Sequence, residues 1–377
     1  MRTIKHFMPT KVVFGRKTIH RIGEEIESLG LSTEKVAVIC GKSAVSNGYV
    51  EIIKKHINGK VEVFDIVEPE PTVEVALRVI EEVKKFSPEL LIAVGGGSPL
   101  DVAKVVSVML TNEGELSEFI GVPEAFKKPG VPLVAVPTTS GSGSEVTPYA
   151  VLTDRRRFKK APLISRYLYP VLAIDDPELT VTMSPIVTTN TGVDALTHAV
   201  EAFVSKRATE ISKLYSGKAI ELIGRFLPRS YGNPRDIEAR ENMMLASLLG
   251  GMAIADAGAG LVHTMAHVLG VMYRVPHGLA NGVFLVPVLE FYGLSAKEEI
   301  EEIGRLMGFE GDVYRVLEKL REFLSFLGIP KSLKEVGLTE SDIPDFVNLV
   351  MEKKFLMGNL PRIPTERDVR EMLKKNL

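Results

Sequence analysis

ELLIAVGGGSPLDVAKVVSVML, residues 89–110, is the stretch that decides the fold. After Glu89 it opens with five apolar residues, the continuous pattern of a strand buried on both faces. Gly95, Gly96 and Gly97 break that strand. Ser98 then reads as an N-cap, Pro99 as a first helical residue, and the rest as a helix carrying Asp101 and Lys104. A capped helix start accounts for Ser98 and Pro99 but not for three consecutive glycines. Glycines there let backbone N–H groups approach an anion at the positive end of the helix, so the turn reads as a phosphate-binding loop although it is not the GxGxxG fingerprint.

The same alternation extends in both directions. Strands are expected at 11–15 (KVVFG), 35–40 (KVAVIC), 61–67 (VEVFDIV), 131–139 (VPLVAVPTT) and 171–177 (VLAIDDP), with helices at 18–29, 49–56 and 73–86. Strands alternating with helices predict a Rossmann-like α/β domain with a mostly parallel sheet over residues 1–179. A second loop, PTTSGSGSEVT at 137–147, offers glycines and small hydroxyl residues to a phosphate or an amide. Both loops fall at the carboxyl ends of parallel strands, where such sheets bind ligands, and together they favour a dinucleotide. The basic run at 155–160 (RRRFKK) reads as a solvated hairpin tip.

Beyond residue 179 the period changes. Windows at 186–204, 210–227, 236–256 and 297–327 carry helical periodicity, with interhelical turns at 230–236 and 328–332. The expectation is an all-helical domain over 180–377. Within it, GAGLVHTMAHVLGVMYRVPHGLAN (258–281) holds three of the seven histidines. His263 and His267 are four apart and share a helix face, and His277 sits in a Pro-His-Gly turn free to fold back over them. Asp194 and His198 form a second pair four apart in GVDALTHAVEAF. A single histidine on an apolar helix is usually a satisfied core residue. Four buried polar groups without partners would be costly, so Asp194, His198, His263 and His277 read together as ligands for one divalent metal: iron, zinc or manganese.

Composition narrows the classes. The 377 residues are 45% hydrophobic and 25% charged with a formal charge of −2, ordinary for a soluble globular enzyme and no invitation to nucleic acid or an anionic membrane. Cys40 is the only cysteine, which excludes an intrachain disulfide and a cysteine metal cluster. The N-terminal stretch has no signal-peptide core and no apolar run reaches transmembrane length, so a cytoplasmic location is expected. The absence of Gln and Trp beside abundant Glu and Lys suggests a thermophilic source.

GGGSPLDVAK, PTTSGSGSEVT, GVDALTHAVEAF, GLVHTMAHVLG, PHGLAN and the C-terminal NLPRIPTERDV stand in the order and spacing of a known family. From about Pro9 to its C-terminus the chain resembles the iron-containing, or group III, alcohol dehydrogenases. The resemblance implies an enzyme that transfers hydride reversibly between a small alcohol or aldehyde and NAD(P), and a homodimer. It places the metal, iron in the cell or zinc as isolated, on Asp194, His198, His263 and His277. It gives His267 a catalytic position facing substrate and nicotinamide. It assigns cofactor contacts to Gly95, Gly96, Gly97, Ser98, Pro99, Asp101, Thr138, Thr139, Ser142, Thr147 and Lys160. Two departures stand out: Ile254 replaces an aromatic of the substrate pocket in some members, and Gly41 stands where NAD-preferring members often carry an aspartate.

The second departure bears on cofactor choice. An acidic residue after an early strand hydrogen-bonds the adenosine ribose and repels a 2′-phosphate. Here Gly41, Lys42 and Ser43 follow strand 35–40 instead. Gly41 leaves room, Lys42 offers charge and Ser43 a hydroxyl, so NADP is expected over NAD. A metal-dependent lyase similar to dehydroquinate synthase is the alternative on this scaffold. Asp194 stands where that family has Glu, and Arg274 is the only basic residue of 250–282 besides histidine, too few for a phosphorylated substrate.

Overall fold

The computed structural model describes residues 3–155 and 159–377. The chain forms two compact units, Phe7–Met183 and Ser184–Leu377, and its start up to His6 belongs with the second.

The first unit is an α/β layer structure. Its strands β1 (Lys11–Phe14), β2 (Lys35–Cys40), β3 (Lys60–Phe64), β4 (Leu90–Gly95), β5 (Leu133–Pro137) and β8 (Leu172–Asp175) form one sheet in the order β1-β8-β5-β4-β2-β3, every pairing parallel. Its helices are α1 (Ile22–Glu27), α2 (Lys42–Ser46), α3 (Tyr49–Lys55), α4 (Val73–Phe86), α5 (Gly97–Met109) and the short α6 (Leu116–Phe119). The apolar runs are continuous because each strand is covered on both faces. Val36, Val38 and Cys40 of β2 pack with Ile22, Ile26, Val50 and Ile53, while Ala37 and Ile39 pack with Val79, Val83, Val102 and Val106. Each such aliphatic side chain contributes roughly 1.5–3 kcal/mol on burial.

Two features differ from the expectation. Residues 149–164 form an antiparallel pair, β6 (Tyr149–Asp154) and β7 (Lys159–Ile164), separate from the main sheet. Ala150, Leu152, Ala161 and Leu163 are its buried face, and Pro162 masks the strand signal in β7. Of the basic run between these strands, Arg156, Arg157 and Phe158 lie outside the described residues. The other difference is at α5, which begins at Gly97 with Gly96 as its N-cap and no capping side chain; Ser98 and Pro99 are its second and third residues rather than its cap and first residue.

Behind the β6–β7 pair lies a buried cluster of charge. Lys104 is fully buried and donates from Nζ to the carbonyls of Thr147 (3.0 Å) and Tyr149 (2.8 Å) and to Thr147 Oγ1 (3.1 Å). Burial pulls its ammonium down to about 8, against the charges of Asp101 and Glu145. Asp175 ends β8 fully buried, and its two carboxylate oxygens have no hydrogen-bond partner among the described residues. Burial, and then the charge of Glu145, pushes Asp175 well above the usual carboxylate range. Burial likewise raises Glu145 from its ordinary 4.5 to about 7, with Lys104 opposing.

Acids raised in the folded state contribute stability that is fully present below their unfolded pKa and is lost as pH rises through the folded one. For Glu145 that window runs from about pH 4.5 to 7, and the raised Asp175 carboxyl acts in the same direction. The melting temperature should therefore fall across this range. Asp175→Val, which deletes both unpartnered oxygens at similar volume, should flatten the profile and raise the melting temperature at pH 8 by roughly 3–6 °C. Calorimetry of both proteins from pH 5 to 8 checks this; an unchanged profile would count against the cluster as its source.

The second unit is helical: α7 (Pro185–Val204), α8 (Glu210–Gly232), α9 (Ile237–Ala257), α10 (Leu261–Tyr273), α11 (His277–Tyr292), α12 (Lys297–Leu306), α13 (Val313–Phe326), α14 (Ile343–Met351) and α15 (Glu366–Lys375). The single window expected over 297–327 breaks between α12 and α13. Gly308 and Gly311 take positive φ there, and Asp312 accepts from the Arg315 N–H to start the next helix. The helical run His277–Leu306 is long and apolar enough to cross a membrane, but 67% of its most apolar window is buried within this unit.

Small residues let α7 sit at the centre. A Cβ on Gly192 would lie 2.3 Å from Leu227 of α8, and one on Gly278 would lie 1.8 Å from the Asn190 carbonyl of α7. These contacts bring α8 and the start of α11 onto α7, and so bring His277 toward Asp194.

Candidate active site

The helical unit gathers its histidines around one carboxylate oxygen. Asp194 Oδ1 lies 3.5 Å from His277 Nε2, 3.8 Å from His263 Nε2 and 3.8 Å from His198 Nε2. The donor atoms of Asp194, His263 and His277 all fall within 4.8 Å of one another. His198 stands outside that tight group, its ring stacked on His263 at 4.8 Å between centroids. Burial alone would raise the Asp194 carboxyl, but the imidazoles of His198, His277 and His263 more than offset this and hold it well below the usual range.

Helix geometry explains the convergence. Asp194 and His198 are one turn apart on α7, and His263 lies in the first turn of α10. His277 is the first residue of α11, with Pro276 at the N-cap position, rather than part of the Pro-His-Gly turn expected from sequence. His267 does not join the group around Asp194. It stacks on His277, centroids 5.3 Å apart, and lies edge-on to His263 at 6.2 Å.

Two further polar groups complete the cluster. Asn281, fully buried one turn beyond His277, donates from Nδ2 to Asp194 Oδ1 at 2.8 Å, and that nitrogen lies 3.4 Å from both His263 Nε2 and His277 Nε2. Its Oδ1 is buried without a partner among the described residues. Glu201, buried on α7, meets His263 Nδ1 at 2.6 Å. Burial opposes charge on His263, but the carboxylates of Glu201 and Asp194 raise it to about 9. Asp194, His263 and His277, with His198 Nε2 3.8 Å from the same carboxylate oxygen, are a donor set that fits a divalent transition metal.

The α/β unit brings the two glycine-rich loops together. Thr138 N–H donates to the Gly95 carbonyl at 2.9 Å. A Cβ on Gly96 would lie 3.2 Å from Thr139 Oγ1, and one on Gly97 3.0 Å from Ser142 Cβ. Gly95 holds φ +147° with Pro99 tight against it, a conformation that L side chains rarely adopt. Because no side chain caps α5, the N–H groups of its first turn remain for an anion.

Other expected cofactor contacts are committed within the protein. Asp101 accepts from Ser144 Oγ at 2.6 Å and from Val151 N–H at 2.9 Å, and the Thr147 hydroxyl accepts from Lys104. These side chains brace the second loop against α5 and β6. Lys160 is held by Glu70 and by Thr153 Oγ1 at 3.2 Å. Lys42 and Ser43 are exposed at the start of α2. Gly41 is different: a Cβ there would lie 2.8 Å from the Val67 carbonyl, so the expected room at that position is absent. Close approach to β3's following segment is reason enough for glycine at 41.

Comparison with known proteins settles the family. Residues 9–177 match the family described as iron-containing alcohol dehydrogenase, and residues 188–377 match the C-terminal part of the same family. The chain belongs to the iron-containing alcohol dehydrogenases. It is 33% identical to the NAD-dependent methanol dehydrogenase of Bacillus methanolicus, over 98% of this chain and 99% of that one. It is 32% identical to the NADPH-dependent butanol dehydrogenase of Clostridium saccharobutylicum, over 92% and 90% respectively. A crystal structure of 1,3-propanediol oxidoreductase superposes over the full length of both chains with a TM-score of 0.93 and 32% identity.

As an iron-containing alcohol dehydrogenase the chain is an oxidoreductase, and its α/β and helical parts match the fold expected from sequence. Residue patterns did not single out Glu201 or Asn281, although each carried a signal. Glu201 follows His198 by three residues, and Asn281 follows His277 by four, so each shares a helix face with a ligand candidate.

Proposed function

We propose that the chain catalyses reversible hydride transfer between a primary alcohol and its aldehyde, with NADP preferred over NAD. The observation that carries this is the convergence of Asp194 with the Nε2 atoms of His198, His263 and His277. A divalent cation held there, iron in the cell or zinc as isolated, would acidify an alcohol hydroxyl and polarise a carbonyl, while the dinucleotide takes up or gives back the hydride. The protein's own part is to hold and orient. Asp194 and the three imidazoles supply one negative charge and three neutral donors. Backbone N–H groups of Gly96 to Ser98, with the hydroxyls of Thr138, Thr139 and Ser142, bind the pyrophosphate. His267, stacked on His277, takes the proton released from the alcohol, since an imidazole can accept and return one near neutral pH. In this reading residues 1–179 are the dinucleotide-binding domain, 180–377 the metal-binding domain, and the working form is a homodimer.

Oxidation of NADPH and NADH by metal-reloaded protein with butanal tests the reading. Turnover is expected. None with metal restored would return the lyase alternative.

The printed names of the relatives point both ways on the dinucleotide, one NAD-dependent and one NADPH-dependent. The NADP preference rests on this chain's own residues: no carboxylate at 41–43, and Lys42 and Ser43 exposed at the start of α2. A charge-assisted hydrogen bond to a 2′-phosphate contributes roughly 1.5–3 kcal/mol, about tenfold or more in preference. An aspartate at Gly41 would collide with the Val67 carbonyl, so Lys42→Glu is the cleaner probe. The ratio of kcat/KM for NADP over NAD should drop at least about tenfold in Lys42→Glu. A wild type that favours NAD, or a ratio unmoved by the substitution, would count against the preference.

A further inference from the structure

Glu201 is buried and engaged through both of its carboxylate oxygens. Its side chain is 2% exposed on α7, one turn beyond His198. Oε1 accepts the Val262 N–H at 2.6 Å, and Oε2 accepts the Gly260 N–H at 2.8 Å and faces His263 Nδ1 at 2.6 Å. Gly260 is the N-cap of α10 and brings no capping side chain of its own. Glu201 does that task from a neighbouring helix, satisfying two N–H groups that the start of α10 leaves open. The approach is close: a Cβ on Gly260 would lie 2.7 Å from Oε1, so a larger residue there would displace the carboxylate.

The third contact has a chemical consequence. A carboxylate has no proton to give, so the 2.6 Å contact requires His263 to donate from Nδ1. The other nitrogen, Nε2, is the one that faces Asp194 at 3.8 Å. Because Glu201 also holds the backbone on either side of Leu261, it fixes both where the imidazole stands and which nitrogen it presents.

We propose that Glu201 is a positioning residue that keeps the His263 proton on Nδ1 and so reserves Nε2 for the divalent cation. This rests on the reading of Asp194, His198, His263 and His277 as the metal centre. An outer carboxylate on a ligating imidazole fixes its tautomer and typically changes metal affinity 10–100-fold. Glutamine at 201 loosens this hold, because one of its two terminal atoms is an NH₂ that can accept nothing from the Gly260 N–H, the Val262 N–H or His263 Nδ1.

The experiment uses the full chain and Zn²⁺ as probe. Zinc affinity is measured by competition with a chromophoric chelator for wild type and Glu201→Gln. The His263 ring is read by ¹⁵N-edited NMR of the zinc-loaded wild type, its signal assigned by through-bond correlation from the His263 backbone. The expected result is a proton on His263 Nδ1 in the wild type and zinc affinity about 10–100-fold lower in Glu201→Gln. A proton on Nε2 in the wild type overturns the proposal, and it does so even if the variant does not fold. Zinc affinity of folded Glu201→Gln within twofold of wild type also overturns it, leaving Glu201 as a helix cap that affects only the melting of metal-free protein. A wild type that binds no zinc is a different failure, that of the metal centre itself, and it takes this proposal with it.

Discussion

Asp194→Ala protein, reloaded with iron or zinc, is expected to retain less than about a thousandth of wild-type turnover and to hold almost no metal. Asp194 holds its carboxylate beside the three Nε2 atoms, all within 3.8 Å of its Oδ1. Its loss leaves imidazoles with no anion to balance a divalent charge. Lewis-acid assistance supplies several kcal/mol of transition-state stabilisation, and about 4 kcal/mol corresponds to roughly a thousandfold in rate. His263→Ala should behave alike, because that ring is anchored from both sides by Asp194 and Glu201. His267→Ala should separate the two properties, keeping metal while lowering turnover, since His267 stacks on His277 without joining the group around Asp194. Elemental analysis beside steady-state kinetics decides the matter. Full metal content in the Asp194 variant would show that the ligand assignment is wrong.

Removing the metal should also separate the stabilities of the two units. The four ligand candidates come from α7, α10 and α11, so a bound ion ties three helices of one unit together. A ligand that binds only the folded state stabilises by mass action, about 4 kcal/mol when its free concentration is a thousand times its dissociation constant. After chelation the helical unit should melt well below its metal-loaded temperature, and the α/β unit should move little. Calorimetry, with hydrogen exchange followed separately in Phe7–Met183 and Ser184–Leu377, measures this. Identical melting of metal-free and metal-loaded protein would rule out the ion as a structural tie.

The strands of the main sheet were legible because parallel strands covered on both faces are apolar at every position. KVAVIC and the five apolar residues after Glu89 carry that mark plainly. The β6–β7 pair is half-buried, with Pro162 inside it, so its strands went unread although the basic run at 155–160 read as a hairpin tip. The histidines were legible because spacing on a helix is a local property. What sequence could not show is what a residue meets from elsewhere in the chain. Gly41 looked like open space until the Val67 carbonyl appeared 2.8 Å from its would-be Cβ. Glu201 looked like one more charged residue on a helix until the fold carried the start of α10 to it. Asp101 and Thr147 matched a ligand-contact motif, yet their hydrogen bonds run inward to the second loop, α5 and β6.

The contact between the glycine loop and the loop that follows β5 limits how the pair can change over generations. A methyl group on Gly96 would press on Thr139 and one on Gly97 on Ser142, so that the neighbour must give by a few tenths of an ångström. A larger residue in one loop is better tolerated once the other has lost bulk, for instance Gly97→Ala following Ser142→Gly. Neighbours in such contact show non-additive effects of roughly 0.5–3 kcal/mol. The effect of a change in one segment therefore depends on what stands in the other. A library that varies positions 96, 97, 139 and 142 jointly would reach combinations that one sampling a single position at a time passes over.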